Sequence, residues 1–350
     1  MTGLSFVWVT HHVGSTRWLK AELAVRAPHL HFAFSRPGLT TFKVTGPPAT
    51  AATPMPSSFA RAWGVTLGKG GLLEIQQAVE ALPPGPPLRL HVFERDIEVP
   101  VEEQHVAERG VRAEGVEQAL RMNLPDAFEE DLKAKVGDRV LDIVVPHGSG
   151  PNEPWLIGLH THAPTHGPWP GGVPFAPPPR NAPSRAWSKL EEALYWADLE
   201  PKAGEVVVEL GAAPGGASLN MLDRGLEVHG IDPGPMAPAV LEFHGPHGNR
   251  FHHHRAPASE VDRRALPPTF QWLLLDVNLA PMVTLGYVER YVALAKGGLR
   301  AALLTLKLND DGVFMALPRL LERVRKLNPS TMRVTQLPSH RQEIVAILTW

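Results

Sequence analysis

Four charged residues in the C-terminal half of this chain stand where simple burial would not put a charge. Lys189 lies in PSRAWSKLEEA near the start of a helical stretch, Asp276 closes the apolar run WLLLDV, Lys307 follows AALLTL, and Glu343 lies in SHRQEIVAIL at the mouth of the last strand. Amines and carboxylates so placed can orient a ligand and exchange protons with it. In an open α/β sheet, ligands bind outside the carboxyl ends of the parallel strands, so Asp276 and Lys307 are expected on one cleft. An antiparallel last strand would bring its first residue, Glu343, to the same edge.

The element that must position them is 206–232, VVVELGAAPGGASLNMLDRGLEVHGID. A short valine-rich strand runs into a glycine turn, a helix follows, Gly225 stops it, and a second strand ends on Asp232. Strand, glycine turn, helix, strand, acid is the first half of a nucleotide-binding doubly wound sheet. Gly211, Gly215 and Gly216 let backbone pass close to a ligand, and an acid about twenty residues on accepts hydrogen bonds from ribose hydroxyls. The turn departs from G-x-G-x-x-G, however. With Ala212, Ala213 and Pro214 in its middle and Glu209 at the strand end, it resembles the turn of S-adenosylmethionine (SAM) dependent methyltransferases. SAM has no pyrophosphate to cradle, and its sulfonium is a cation, so an acid near the strand end fits it better than a P-loop lysine. The bland alternative is an ordinary strand-to-helix turn that needs small residues.

The set SRAWSKL, LGAAPGG, LLLD, LLTLKL and SHRQEIV, with DPGPMA at 232–237, resembles the lysine, aspartate, lysine, glutamate tetrad of RNA ribose 2′-O-methyltransferases. Within those it is most similar to the bacterial large-subunit ribosomal RNA methyltransferase M family. The resemblance is specific over 184–350 and rests only on order and size before that. It implies a SAM cofactor bound by Glu209, Gly211, Ala212, Pro214, Gly215, Gly216, Asp232 and Asp276. It also implies a ribosomal RNA partner of the 23S type, a cytidine as the modified nucleotide, and an N-terminal THUMP RNA-binding region. The catalytic set it implies is Lys189, Asp276, Lys307 and Glu343, with Lys307 as general base, Lys189 as the neighbour that lowers its pKa, and the acids as orienting groups. Two points depart from the pattern. After the third strand the chain reads HHHRAPASE, where the nearest carboxylate is Glu260, and His340 stands three residues before Glu343, so either could fill the fourth position.

The 350 residues suffice for two or so domains, and the absence of cysteine excludes disulfides, thiolate zinc and cysteine nucleophiles. A net charge of -2 means that a nucleic-acid partner must be held by a local basic surface. Arg17, Lys20 and Arg26 on one helix, with Trp18 to stack, are candidates, joined by Arg61, Lys69, Lys133, Lys135 and Arg139. No apolar run approaches the roughly 18 residues of a transmembrane helix. The N-terminus lacks the basic start and small-residue cleavage site of a signal peptide, so a cytoplasmic location without membrane contact is expected. Consecutive His252, His253 and His254 alternate faces of a strand and offer at most two ligands to one side. His160, His162 and His166 are better spaced, but without a cysteine or clear carboxylate partner they are read as polar surface or interface histidines, with no metal.

The 36 prolines and 31 glycines cluster at 46–57 and 164–183, which mark boundaries. The expected organisation is a small α/β subdomain at 1–50, a THUMP-like domain at 57–165, a linker at 166–183 and a methyltransferase domain at 184–350. Strands are predicted at 4–10, 31–34, 40–44, 64–67, 88–94, 139–145 and 155–161, the last two as a hairpin, with helices at 16–26, 72–82 and 116–122. Beyond the second cluster strands and helices alternate, and two strands close the chain at 332–337 and 343–349. The fold class is therefore α/β: a C-terminal Rossmann-like SAM-methyltransferase sheet, mostly parallel with an antiparallel last strand, after an N-terminal α/β region. Two other functions fit the same features: a methyltransferase of another RNA, a protein or a small molecule, and an inactive RNA-binding or ribosome-assembly protein.

Overall fold

The computed structural model describes residues 6–98, 109–147, 153–174 and 177–350. The chain divides at 175/176 into two compact units. The N-terminal unit contains β1 (Phe6–Thr10), α1 (Thr16–Arg26), β2 (Leu30–Arg36), β3 (Leu39–Val44), β4 (Ala62–Gly70), α2 (Leu72–Glu80), β5 (Arg89–Glu94), α3 (Val111–Asn123), β6 (Arg139–Val145) and β7 (Trp155–Thr161). The first strand was expected from residue 4, and residues 4 and 5 lie outside the described ones. The seven strands form one sheet in the order β2-β3-β1-β4-β7-β6-β5. β1 sits between β3 and β4 and pairs with both, so 1–50 and 57–165 contribute to a single sheet where two pieces were expected. Val7, Trp8 and Val9 are fully buried, and a strand whose side chains are covered on both faces also needs both backbone edges paired.

Part of the stretch expected as a linker belongs to this unit. The carbonyl of Pro168 accepts from the Ala134 N–H, and His166 and Gly171 are buried, with Gly171 so close to the Phe93 ring that a β-carbon there would lie 2.9 Å from it.

The C-terminal unit contains α4 (Ala186–Ala197), β8 (Val206–Leu210), α5 (Gly216–Asp223), β9 (Glu227–Ile231), α6 (Pro238–Leu241), β10 (Phe251–His254), β11 (Trp272–Leu275), α7 (Pro281–Leu294), β12 (Ala301–Lys307), α8 (Asp311–Arg325), β13 (Thr331–Thr335) and β14 (Glu343–Thr349). Its sheet runs β10-β9-β8-β11-β12-β14-β13, parallel from β10 to β12. β14 is antiparallel to both its neighbours and so lies one strand in from the edge. Burial decides this: six of its seven residues are buried, whereas β13 is mostly part-exposed and suits an edge. The strand order reverses between β8 and β11, and the crevice beyond their carboxyl ends is where a doubly wound sheet takes its ligand.

Candidate active site

Four elements deliver the four charges to that crevice. Lys189 comes from the first turn of α4, Asp276 directly follows β11, Lys307 ends β12, and Glu343 begins β14, where the register sets it opposite Lys307. Lys189 Nζ lies 3.2 Å from Asp276 Oδ2 and 2.5 Å from Glu343 Oε1. Lys307 Nζ lies 2.7 Å from Asp276 Oδ1 and 2.5 Å from Glu343 Oε2. Each lysine thus touches both carboxylates, and the closed network is neutral as a whole.

This geometry corrects one expectation. Burial alone would lower the pKa of Lys307, but Asp276 and Glu343 outweigh it and hold the ammonium above its ordinary value. Lys189 therefore acts on Lys307 mainly by sharing its carboxylates. Burial works to raise the Glu343 carboxyl, yet His340 and the two lysines together hold it well below the usual range. Glu343, not His340, makes the lysine contacts. His340 is buried beside it and takes the Leu337 N–H on Nδ1.

The glycine turn lies beside the network. Gly211 and Gly215 have φ of 82° and 113°, in the left-handed region, and the Ala213–Pro214 bond is cis. The glycines answer first to protein neighbours. A β-carbon on Gly211 would stand 2.4 Å from the Asp276 carbonyl oxygen, and one on Gly216 would stand 2.3 Å from Ser184 Oγ. Asp232 accepts from the N–H groups of Ala213 and Gly234 at 3.2 and 2.7 Å, which ties the end of β9 to the turn.

Glu209 is buried and lines a cavity of about 40 Å³ with Lys189, Asp276 and Ala217. Burial pushes its carboxyl up to about 8, against a 2.5 Å hydrogen bond from Ser218 Oγ. A buried acid next to this turn, with a hydroxyl but no cation on it among the described residues, suits a cation, the chemistry of the sulfonium and ammonium of SAM.

Two supporting residues escaped the sequence reading. Ser218 holds Glu209, and Glu192 accepts from the N–H and the Oγ of Ser339 at 2.9 and 2.6 Å, pinning the β13–β14 turn to the helix that carries Lys189. Glu192 follows Lys189 by three residues on α4, but its partner is 147 residues away, a separation that no local pattern encodes.

In the N-terminal unit two expected RNA contacts are withdrawn from solvent. Trp18 is 2% exposed and packs on Phe59, and Arg61 is buried with both terminal guanidinium nitrogens on Asp96. The histidines also differ from expectation, since His160, His162 and His166 are buried and not at the surface. Their ligand atoms come within 4.8 Å of one another, as do those of Glu227, His229 and His252. The rings of His160 and His166 stack 15° from parallel, and those of His229 and His252 13° from parallel. Imidazole ligates through a lone pair in the ring plane, so stacked rings send their lone pairs side by side and not to one point.

With that geometry in place, comparison with known proteins is consistent with one class. Residues 182–314 match the FtsJ-like methyltransferase family, and the C-terminal unit has an α/β methyltransferase fold. Among curated relatives, the ribosomal RNA large subunit methyltransferase M of Halorhodospira halophila is 37% identical over 180 residues, half of each chain. That of Azotobacter vinelandii is 35% identical over 164 residues, 45% of this chain and 43% of its own. That of Azoarcus sp. is 30% identical over 232 residues, 61% and 58%. The chain spans about half the length of the curated relatives it matches, and the resemblance read from the tetrad and the turn agrees with them.

Proposed function

We propose that this protein is a SAM-dependent methyltransferase that modifies a ribose 2′-hydroxyl of large-subunit ribosomal RNA, with a cytidine as the nucleotide. The supporting observation is the closed network of Lys189, Asp276, Lys307 and Glu343 beside the glycine turn. SAM, when bound, supplies an electrophilic methyl group on a sulfonium. A ribose hydroxyl is a poor nucleophile, so the chain must hold its oxygen on the line of attack and provide a place for its proton. Lys307 is assigned that proton. In the resting network it is an ammonium; a ribose hydroxyl that displaces it from Asp276 or Glu343 weakens the pairing that keeps it protonated, so that it gives its proton to solvent and, as the free amine, takes the one the hydroxyl loses. Lys189 stays on the carboxylates and orients the hydroxyl. The reaction as written calls for no metal ion.

The N-terminal unit is assigned RNA binding in a THUMP-like role, and the location is the cytoplasm, where ribosomal RNA is found in bacteria. Among the described residues no helix is long and apolar enough to cross a membrane. Nucleoside mass spectrometry of ribosomal RNA from cells with and without the protein tests substrate and reaction together. Loss of one 2′-O-methylcytidine from large-subunit RNA is expected, and an unchanged set of 2′-O-methyl nucleosides would sink the assignment.

A further inference from the structure

Strand register sorts the side chains of the N-terminal sheet onto two faces. Phe6 is opposite Lys43, Phe34 opposite Thr41 and Arg36 opposite Leu39, so these project to one face. Past the irregularity in β4, Lys69 is opposite Leu156, which joins Trp8 and Leu39 in the apolar cluster on that face. Toward β5 the face is covered by the turn at 170–172, where Gly171 meets Phe93. Toward β2 no described element covers it. Phe6 and Phe34 are 42% and 41% exposed, and Arg36, Lys43 and Lys69 are exposed around them.

The Lys69 ammonium and the Arg36 guanidinium stand 5.3 and 5.5 Å from the centre of the Phe34 ring, at the rim of a groove that Arg95 also lines. Among the described residues Glu153 is the single carboxylate lining the groove, and it pairs with Arg36 and Arg95. Lys69 is left, among the described residues, to Phe34 and solvent. Two exposed aromatic rings on one sheet face, rimmed by cations with one acid among them, match a strand of flat bases joined by phosphates. An apolar protein segment laid here would have to strip water from those cations without compensation.

We propose that this face binds a single-stranded segment of the RNA substrate, with Phe34 and Phe6 as stacking platforms and Lys69, Lys43 and Arg36 on phosphates. The proposal rests on the RNA reading above. Its test uses the full-length protein, fluorescence anisotropy, and two labelled probes: a single-stranded RNA of about twelve nucleotides and a transcript of large-subunit ribosomal RNA. Phe34→Ala should weaken binding of the short probe about ten-fold while Phe34→Trp retains it. Lys69→Gln should reduce the slope of log affinity against log salt by about 0.7. SAM affinity and melting temperature should stay at wild-type values in all three, which separates the effect from misfolding. Wild-type affinity and salt slope in Phe34→Ala and Lys69→Gln overturn the proposal, including the case in which the face serves a protein. Binding of the transcript without the short probe overturns it and leaves the RNA reading standing, whereas binding of neither overturns both.

Discussion

At the scale of single residues the proposed chemistry hangs on Lys307. As a general base its loss in Lys307→Ala should leave SAM affinity unchanged in calorimetry and reduce the single-turnover rate by roughly 10²- to 10⁴-fold. Lys307→Arg should be as inactive, because a guanidinium keeps the charge and cannot take a proton. In Lys189→Ala both carboxylates, now touched by each lysine, face Lys307 alone. Its pKa then rises further, and the rise of rate with pH should move to higher pH. An active Lys307→Arg enzyme would remove lysine from the role of base. Glu209 carries a different pH signature. Its folded pKa is raised to about 8, so the stability of its protonated form is complete below the unfolded value and is lost as pH rises through about 8. Without SAM, Glu209→Gln should therefore be the more stable protein at pH 9, by up to a few kcal/mol, and of similar stability to wild type near pH 4. Near pH 7, SAM binding should release up to about one proton in the wild type and none through this group in the variant, measured by calorimetry in buffers of differing ionisation enthalpy.

At the scale of elements, the turn after β8 packs against the network of charges as well as forming the proposed cofactor site. Gly211→Ala must adopt a positive φ and press on the Asp276 backbone. It should destabilise the C-terminal unit by about 1–3 kcal/mol and depress turnover by displacing Asp276. Gly204 is the matched control: its φ is 85°, and nothing lies within 4 Å of its β-carbon position. Gly204→Ala should show the backbone strain alone, about 1 kcal/mol in urea unfolding, with turnover intact. Equal losses of turnover in the two variants would mean that Gly211 is needed for conformation and not for the place of Asp276.

At the scale of the molecule, the N-terminal unit carries an acid liability. Burial lowers His11 and His162 to about 4, His91 to about 3 and His166 to about 2. For each the unfolded chain binds a proton first, so stability is complete above the unfolded value near 6.5 and declines as pH falls toward the folded values. Asp142, which burial raises, acts in the opposite sense, one group against four. The stability of this unit against unfolding should fall by several kcal/mol, on the order of 1.4 per proton and pH unit, between pH 6.5 and 4. His166→Phe, which can keep the 3.8 Å stack on Trp63, should flatten that slope by about one proton, roughly 1.4 kcal/mol per pH unit. A melting temperature flat from pH 6.5 to 4.5 would contradict the burial of these rings.

Local pattern was enough for the strand, turn, helix and strand at 206–231 and for placing Asp276 and Lys307 at strand ends, because period and glycine placement are written in neighbouring residues. Taking the last strand as antiparallel brought Glu343 to the same edge of the sheet, and the register that sets it opposite Lys307 came from the structure. What only the tertiary structure decided depends on groups far apart in the chain. The sign of the Lys307 shift depends on two carboxylates arriving from β11 and β14, and the clamp of Glu192 on Ser339 joins α4 to a turn near the C-terminus. Burial of Trp18 and exposure of Phe34 were equally hidden, since each is an aromatic residue within two positions of an arginine in sequence. The side of a strand or helix that meets solvent is set by what packs across it. Residue types named the chemistry; the distance between charges and the water left around them set its direction.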